Sequence, residues 1–343
     1  MSVGPARTNA RGLSREEYKG LATTLCAGCG HNSITNHIVK ALYDHGVDPY
    51  RLAKMSGIGC SSKATAYFVE RAHGFNAVHG RMPAVTTGAA VADRRLLLFG
   101  ISGDGDTASI GLGQFCHLLR RNVDCTYVVE NNGVYGLTKG QFSATADVGS
   151  VQRKGVVNEL ETIDIAGLAV ELGASFVARS FSGDGRQLVP LLQAALSHQG
   201  TAVLDVVSPC VAFNDHEGST KSYEYLKQHD LVLQELDFIA QRHEVILDYA
   251  EGTSTDVELH DGSRLRLRKL GPDHNPRDRL AALSILQEGR NRGEVITGLL
   301  YVDPEMPDLC TRERLPEEPL RDLGESRLRL TPEEFEALQR SWS

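Results

Sequence analysis

The 343-residue chain holds no run of eighteen apolar residues, no polybasic block and no internal repeat. A membrane-spanning helix is therefore not expected, and neither is an array of stacked repeats. The formal net charge of −8 argues against nucleic acid as a partner, because a phosphate backbone recruits surfaces rich in Lys and Arg. No hydrophobic signal segment opens the chain. Its seven cysteines are accordingly expected as thiols of a reducing compartment, the cytoplasm, and not as disulfides of a secreted domain. There is no H-E-x-x-H or comparable motif, and the histidines are scattered.

What is present suffices for a full core: hydrophobic residues make up 41% of the composition. The length suggests one large domain with an extension. Residues 20–210 alternate apolar strands with helical patterns at 33–46, 107–121, 156–172 and 187–197. That alternation predicts an α/β fold, a mostly parallel sheet wrapped by helices, with ligands at the carboxyl ends of the strands. The expected layout is a disordered N-terminus over 1–15, a binding domain over 16–215 and an extension over 216–343. In the extension, residues 221–243 read as polar helix and 245–269 as a hairpin turning at Asp261-Gly262. Residues 304–343, rich in Pro, Glu and Arg, cannot form a core alone and are expected to lie on a partner subunit or on the domain's own surface.

Two segments carry the chemistry. The apolar strand that begins at Arg95 stops at Ser102-Gly103-Asp104-Gly105-Asp106, where Gly103 and Gly105 permit a tight turn beside an anion. The helical pattern that follows would turn its N-terminal N–H groups and dipole toward a diphosphate. A second strand, Cys125-Thr-Tyr-Val-Val-Glu130, then ends at Asn131-Asn132. Magnesium takes oxygen ligands and bridges phosphates through few protein groups, so Asp104 and Asn132, at neighbouring strand ends, are suitable donors. Three letters alone are weak, since a second copy, Gly183-Asp184-Gly185, has no Asn-Asn at the required distance. Asp184 reads as a turn or helix cap.

The cysteines form the second group. Cys26-Ala-Gly-Cys29 is a local pair, Cys60 sits in a glycine-rich turn, and Cys210 follows Ser208-Pro209 after an apolar strand. Four such thiolates suit zinc or an iron–sulfur cluster, while a redox pair and inert buried thiols remain open readings. Cys116, Cys125 and Cys310 read as structural, and His37 as a residue on a helix face.

The order of GDG and Asn-Asn resembles the diphosphate-binding motif of thiamine diphosphate enzymes, and with the cysteines it resembles the beta subunit of 2-oxoacid:ferredoxin oxidoreductases. The likeness runs from about Leu21 through Cys210 and resumes at Thr297-Gly-Leu-Leu-Tyr-Val-Asp-Pro304. It includes His79-Gly-Arg-Met-Pro83 with Thr87-Gly88. The resemblance implies a thiamine diphosphate-binding fold in which Gly103, Asp104, Gly105, Asp106, Asn132, His79 and Thr138 hold the cofactor. Asp104, Asn132 and the Val134 carbonyl would then hold Mg2+, and Cys26, Cys29, Cys60 and Cys210 one 4Fe-4S cluster. Lys63, Leu137 and Lys139 resemble positions that contact the 2-oxoacid, where a cation suits a carboxylate.

The activity so implied is the oxidative decarboxylation of a 2-oxoacid with coenzyme A as co-substrate and ferredoxin as electron acceptor, reversible as reductive carboxylation. The Lys63 and Leu137-Thr-Lys139 surroundings look most like the 2-oxoglutarate group, with succinyl-CoA as product and pyruvate as the next substrate. No glutamate of this chain is identifiable as the one that activates the cofactor, and the family places it on an alpha subunit. An alpha2beta2 heterotetramer, inactive without its alpha subunit, is therefore expected. No C-x-x-C-x-x-C-x-x-x-C run is present, which implies a single cluster. A non-oxidative thiamine diphosphate-dependent decarboxylase and a metal-binding scaffold without catalysis are the rival readings.

Overall fold

The computed structural model describes residues 8–151, 155–210, 245–259 and 264–342. In chain order the elements are α1 (Gly30–His45), β1 (Leu52–Ser56), β2 (His73–Asn76), α2 (Met82–Ala92), β3 (Leu97–Gly103), α3 (Leu112–Arg121) and β4 (Cys125–Asn131). A small ribbon, β5 (Val134–Tyr135) and β6 (Gln141–Phe142), precedes α4 (Ile165–Glu171), β7 (Phe176–Phe181), α5 (Gly185–Ser197) and β8 (Thr201–Val207). Then come β9 (Ser254–Glu258), β10 (Arg264–Lys269), α6 (Arg279–Arg292), β11 (Glu294–Val302), α7 (Leu309–Arg312), α8 (Glu325–Leu328) and α9 (Pro332–Ser341).

The main sheet has nine strands in the order β2-β1-β3-β4-β8-β7-β11-β10-β9. All neighbours are parallel except β7 with β11 and β9 with β10. The α/β class read from the alternating pattern is the one observed. Central strands such as β4 and β8 are buried along their whole length, as strands covered on both faces must be. Their residues alternate between two cores. On one face Tyr127, Val129 and Val203 join Phe115 and Leu118 of α3. On the other, Val128, Leu204 and Val206 join Ile34, Ile38 and Leu42 of α1 and Leu188 and Leu192 of α5. The spacing of Phe115, Leu118 and Leu119 along α3 puts all three on its buried stripe. Truncating Phe115, wholly buried, to Ala would cost about 3–5 kcal/mol.

Several expectations are corrected. Disorder does not extend to residue 15: Thr8 bridges Ser14, and a capping box between Ser14 and Glu17 opens a short helical turn at Arg15–Tyr18. The helix expected over 107–121 is divided, because the Gly111 N–H bonds back five residues to the Asp106 carbonyl and so closes a wide π-type turn over Gly105–Ile110 before α3 begins. The helix expected over 156–172 is confined to Ile165–Glu171. Asp164 caps it through the Gly167 N–H, while the Asn158 amide ties the preceding stretch to the carbonyls of Ala146, Asp147 and Leu160.

The extension is not a separate lobe. β9 and β10 pair antiparallel as the hairpin predicts, although its Asp261-Gly262 turn lies outside the described residues, as does the polar helix expected over 221–243. β10 runs beside β11, and β11 joins β7, so the extension prolongs the main sheet. Near the C-terminus, α7 lies on the domain's own surface: Cys310 is buried, the Leu309 N–H bonds to the Asn122 carbonyl, and Arg94 bonds to the Leu315 carbonyl. Among the described residues no helix is long and apolar enough to cross a membrane.

Candidate functional site

Parallel topology places the carboxyl ends of β1, β3, β4 and β8 along one edge of the sheet. β1 leads into Gly57-Ile-Gly-Cys60, β3 into Asp104, β4 into Asn132 and β8 into Ser208-Pro-Cys210. The order of strand addition reverses between β1 and β3, since β1 pairs outward with β2 and the chain then returns to place β3, parallel, on its other side. This is the switch point at which open α/β sheets hold ligands.

A cavity opens there. Its walls include Cys60, His79, Gly103, Asp104, Gly105 and Asp106, and also Asn132, Val134, Leu137 and Thr138. Ten of the residues singled out in the sequence thus converge on one space. A larger cavity, beside Arg94 and Asp124 at the opposite edge of the sheet, contains none of them.

Asp104 is 1% exposed. Its Oδ2 accepts from the Ser143 hydroxyl and lies 2.6 Å from Thr145 Oγ1, while Oδ1 meets the Asn132 N–H at a long 3.5 Å. Thr145 in turn lies 2.9 Å from Asn131 Oδ1, whose amide donates to Asp205. The carboxyl is therefore gripped by hydroxyls at Oδ2, while Oδ1 has the long contact with the Asn132 N–H. Asn132 Oδ1 accepts from the Val134 N–H at 3.1 Å, and an amide oxygen retains a second lone pair. Two oxygen donors from adjacent strand ends fit a magnesium–diphosphate unit.

Asp106 is differently engaged. Its Oδ1 accepts from the N–H groups of Ile58 and Gly80 and lies 2.5 Å from His79 Nδ1, and Oδ2 accepts from Ser102. With four donors already met, this side chain ties three loops together and aims the imidazole of His79. The packing requires glycine at position 57, where a Cβ would lie 1.8 Å from Asp106 Oδ2.

The cysteines assemble beside this wall. Cys29 caps α1, and its N–H bonds to the Cys26 carbonyl, closing the turn between them. Gly30 lets α1 approach the end of β8, since a Cβ there would lie 2.4 Å from Ser208 Oγ. Around Gly136, the point where a Cβ would stand is 3.4 Å from Cys60 Sγ and 3.9 Å from Cys210 Sγ. Burial pushes the Cys29 thiol well up, and Cys210 and Cys26 add to the effect. Burial likewise raises Cys60, against which the charge of Lys63 acts. Thiols so placed ionise together only beside strong positive charge, such as a metal centre supplies. Among the described residues no three His, Cys, Asp or Glu side chains are close enough to share a single metal ion.

Lys63 is half-buried beside Cys60 and does not reach the cavity wall, while Lys139 is exposed in a loop with a φ of 76°. Leu137, 49% exposed, stands at the mouth. Among the wall residues given no role from the sequence are Glu130 and His31, at 0% and 2% exposure. Burial raises Glu130 well above the usual carboxylate range and lowers His31 to about 4. A charged residue at the end of the apolar run Tyr-Val-Val was the available signal for Glu130.

The family described as "Thiamine pyrophosphate enzyme, C-terminal TPP binding domain" matches residues 57–206, from the turn after β1 into β8. The chain is 40% identical over 191 residues to the 2-oxoglutarate oxidoreductase subunit KorB of Mycobacterium tuberculosis, covering 55% of this chain and 51% of that one. It is 33% identical over 239 residues to the 2-oxoglutarate synthase subunit KorB of Archaeoglobus fulgidus, covering 69% and 84%. Of several curated relatives it spans about half to two thirds of the length. A solved structure of the 2-oxoglutarate:ferredoxin oxidoreductase from Magnetococcus marinus, with 2-oxoglutarate, coenzyme A and succinyl-CoA bound, superposes with a TM-score of 0.73 at 28% identity. That match covers 98% of this chain and 99% of the other. The chain belongs to the family of 2-oxoacid:ferredoxin oxidoreductase beta subunits.

Proposed function

We propose that this chain is the beta subunit of a 2-oxoglutarate:ferredoxin oxidoreductase, which converts 2-oxoglutarate, coenzyme A and oxidised ferredoxin to succinyl-CoA, CO2 and reduced ferredoxin, reversibly. The observation that carries the reading is the meeting of Asp104, Asn132 and the cysteines at one strand-end edge. Similarity to the Magnetococcus marinus structure with 2-oxoglutarate, coenzyme A and succinyl-CoA bound supports the choice of substrate.

In this reading Asp104, Asn132 and the Val134 carbonyl hold Mg2+. Gly103 and Gly105 turn the chain beside the diphosphate and let Ser61 and the Tyr135 ring pack close, a Cβ at 105 standing 2.5 Å from that ring, and His79 and Thr138 flank the diphosphate. Thiamine diphosphate supplies an electron sink when bound, the property that decarboxylation of a 2-oxoacid requires. Cys26, Cys29, Cys60 and Cys210 hold a 4Fe-4S cluster, which accepts electrons singly. Leu137 and Lys139 guard the mouth where a substrate carboxylate enters, and Lys63 lends positive charge on the Cys60 side. The missing activating glutamate belongs to an alpha subunit, and the enzyme works in the cytoplasm as an alpha2beta2 heterotetramer.

The test is turnover by the complex purified without oxygen. Ferredoxin reduction that requires coenzyme A and prefers 2-oxoglutarate supports the proposal. A wide preference for pyruvate reassigns the substrate, and CO2 release without ferredoxin reduction makes the enzyme a non-oxidative decarboxylase.

A further inference from the structure

Among the described residues Glu130 is anomalous. It is the penultimate residue of β4, is wholly buried, and neither carboxyl oxygen has a hydrogen-bond partner. Buried polar groups of this kind are rare and call for a cause. One neighbour is in reach: His31 Nδ1, 3.2 Å from Glu130 Oε2. The two stand within ion-pair distance although neither is counted in a formed hydrogen bond. The other ring nitrogen, Nε2, lies 3.4 Å from Asn132 Nδ2.

The direction of these contacts follows from the backbone. Asn132 Oδ1 accepts from the Val134 N–H at 3.1 Å, which decides which end of the amide is oxygen. Nδ2 therefore donates to His31 Nε2, and Nε2 must be the nitrogen without hydrogen. Nδ1 then carries the hydrogen, and Glu130 Oε2 is the acceptor it faces. A carbonyl or a carboxylate oxygen serves equally in that role.

We propose that Glu130 and His31 are positioning residues that hold the Asn132 amide with its oxygen toward the cation. Outer partners of this kind fix the tautomer and orientation of metal-site ligands, and their loss typically costs 10–100-fold in metal affinity. The inference rests on the reading of Asn132 as a magnesium ligand.

The experiment titrates Mg2+ calorimetrically into the full chain assembled with its alpha subunit, at saturating thiamine diphosphate. Glu130→Gln keeps an acceptor oxygen and should stay within about threefold of the unaltered protein. Glu130→Leu removes the acceptor and should raise the half-saturating Mg2+ about 10–100-fold. His31→Met interrupts the same chain from α1 and should match it, which keeps the test open if Glu130→Leu does not fold. Unchanged Mg2+ affinity in a folded Glu130→Leu or His31→Met protein, with affinity lost in Asp104→Ala, overturns the positioning role alone. Unchanged affinity in Asp104→Ala overturns the cation site itself, and the positioning role with it.

Discussion

Two turns of this chain share the letters Gly-Asp-Gly, and each follows a strand of the same sheet and opens a helical segment. At the end of β3, Asp104 is backed by Ser143 and Thr145, faces Asn132 and lines a cavity. At the end of β7, Asp184 caps α5 through the Gln187 N–H at 3.0 Å and pairs with Lys269 at 2.6 Å. The difference lies in the neighbour. β3 is followed across the sheet by β4, which ends in two asparagines, whereas β7 faces the antiparallel β11 and the hairpin that brings Lys269. A motif becomes a site when the adjoining strand end supplies the complementary donor.

The comparison can be broken by substitution. The largest effect is expected at Cys60, beside the first turn. Cys60→Ser should abolish the visible absorption of the iron–sulfur centre in protein purified without oxygen, and full retention would remove Cys60 from the ligand set. Next comes Asp184→Ala, which leaves the Lys269 ammonium buried without its partner and uncaps α5. A loss of about 3–5 kcal/mol in denaturant unfolding is expected, with thiamine diphosphate affinity unchanged. Asp104→Ala should do the reverse: Mg2+-dependent thiamine diphosphate binding falls about 100-fold or more by calorimetry, with a smaller change in unfolding. Equal effects of the two aspartates on cofactor binding would erase the distinction.

A third aspartate sharpens it. Asp124, just before β4, has no ligand role in this account, and burial raises it from 3.8 to about 6. The folded state therefore holds this proton more tightly than the unfolded chain. Its contribution to stability is favourable below about 3.8, declines as pH rises to about 6, and is a constant cost above that. Asp124→Asn keeps an oxygen for the Gly200 N–H and should stabilise the protein by about 1–2 kcal/mol at pH 7.5, with little gain near pH 4. An equal change at both pH values would contradict that origin.

The site was legible where its signals are local. Gly103-Asp104-Gly105, Asn131-Asn132, Cys26-Ala-Gly-Cys29 and the turn at Cys60 each announce themselves within a few residues, and parallel topology brings the strand ends together. Ser143 and Thr145 were not legible, because they reach Asp104 from 39 and 41 residues away through the loop after β6. Asp106 was read as a cofactor contact, but its carboxyl is occupied by donors from the turn after β1, the loop before α2 and Ser102, which spacing could not reveal. In the fold, alternation of strand and helix disclosed the parallel sheet. The joining of β11 to β7 is a long-range antiparallel pairing with no local signature, so the extension read as a separate segment.

The central claim is that one sheet edge holds both a thiamine diphosphate site and a redox cluster. The most direct measurement is the iron, acid-labile sulfide, zinc and thiamine diphosphate content of the complex purified without oxygen. The account predicts about four irons, about four sulfides and about one thiamine diphosphate per beta chain. Stoichiometric zinc, or thiamine diphosphate with no iron, would contradict it.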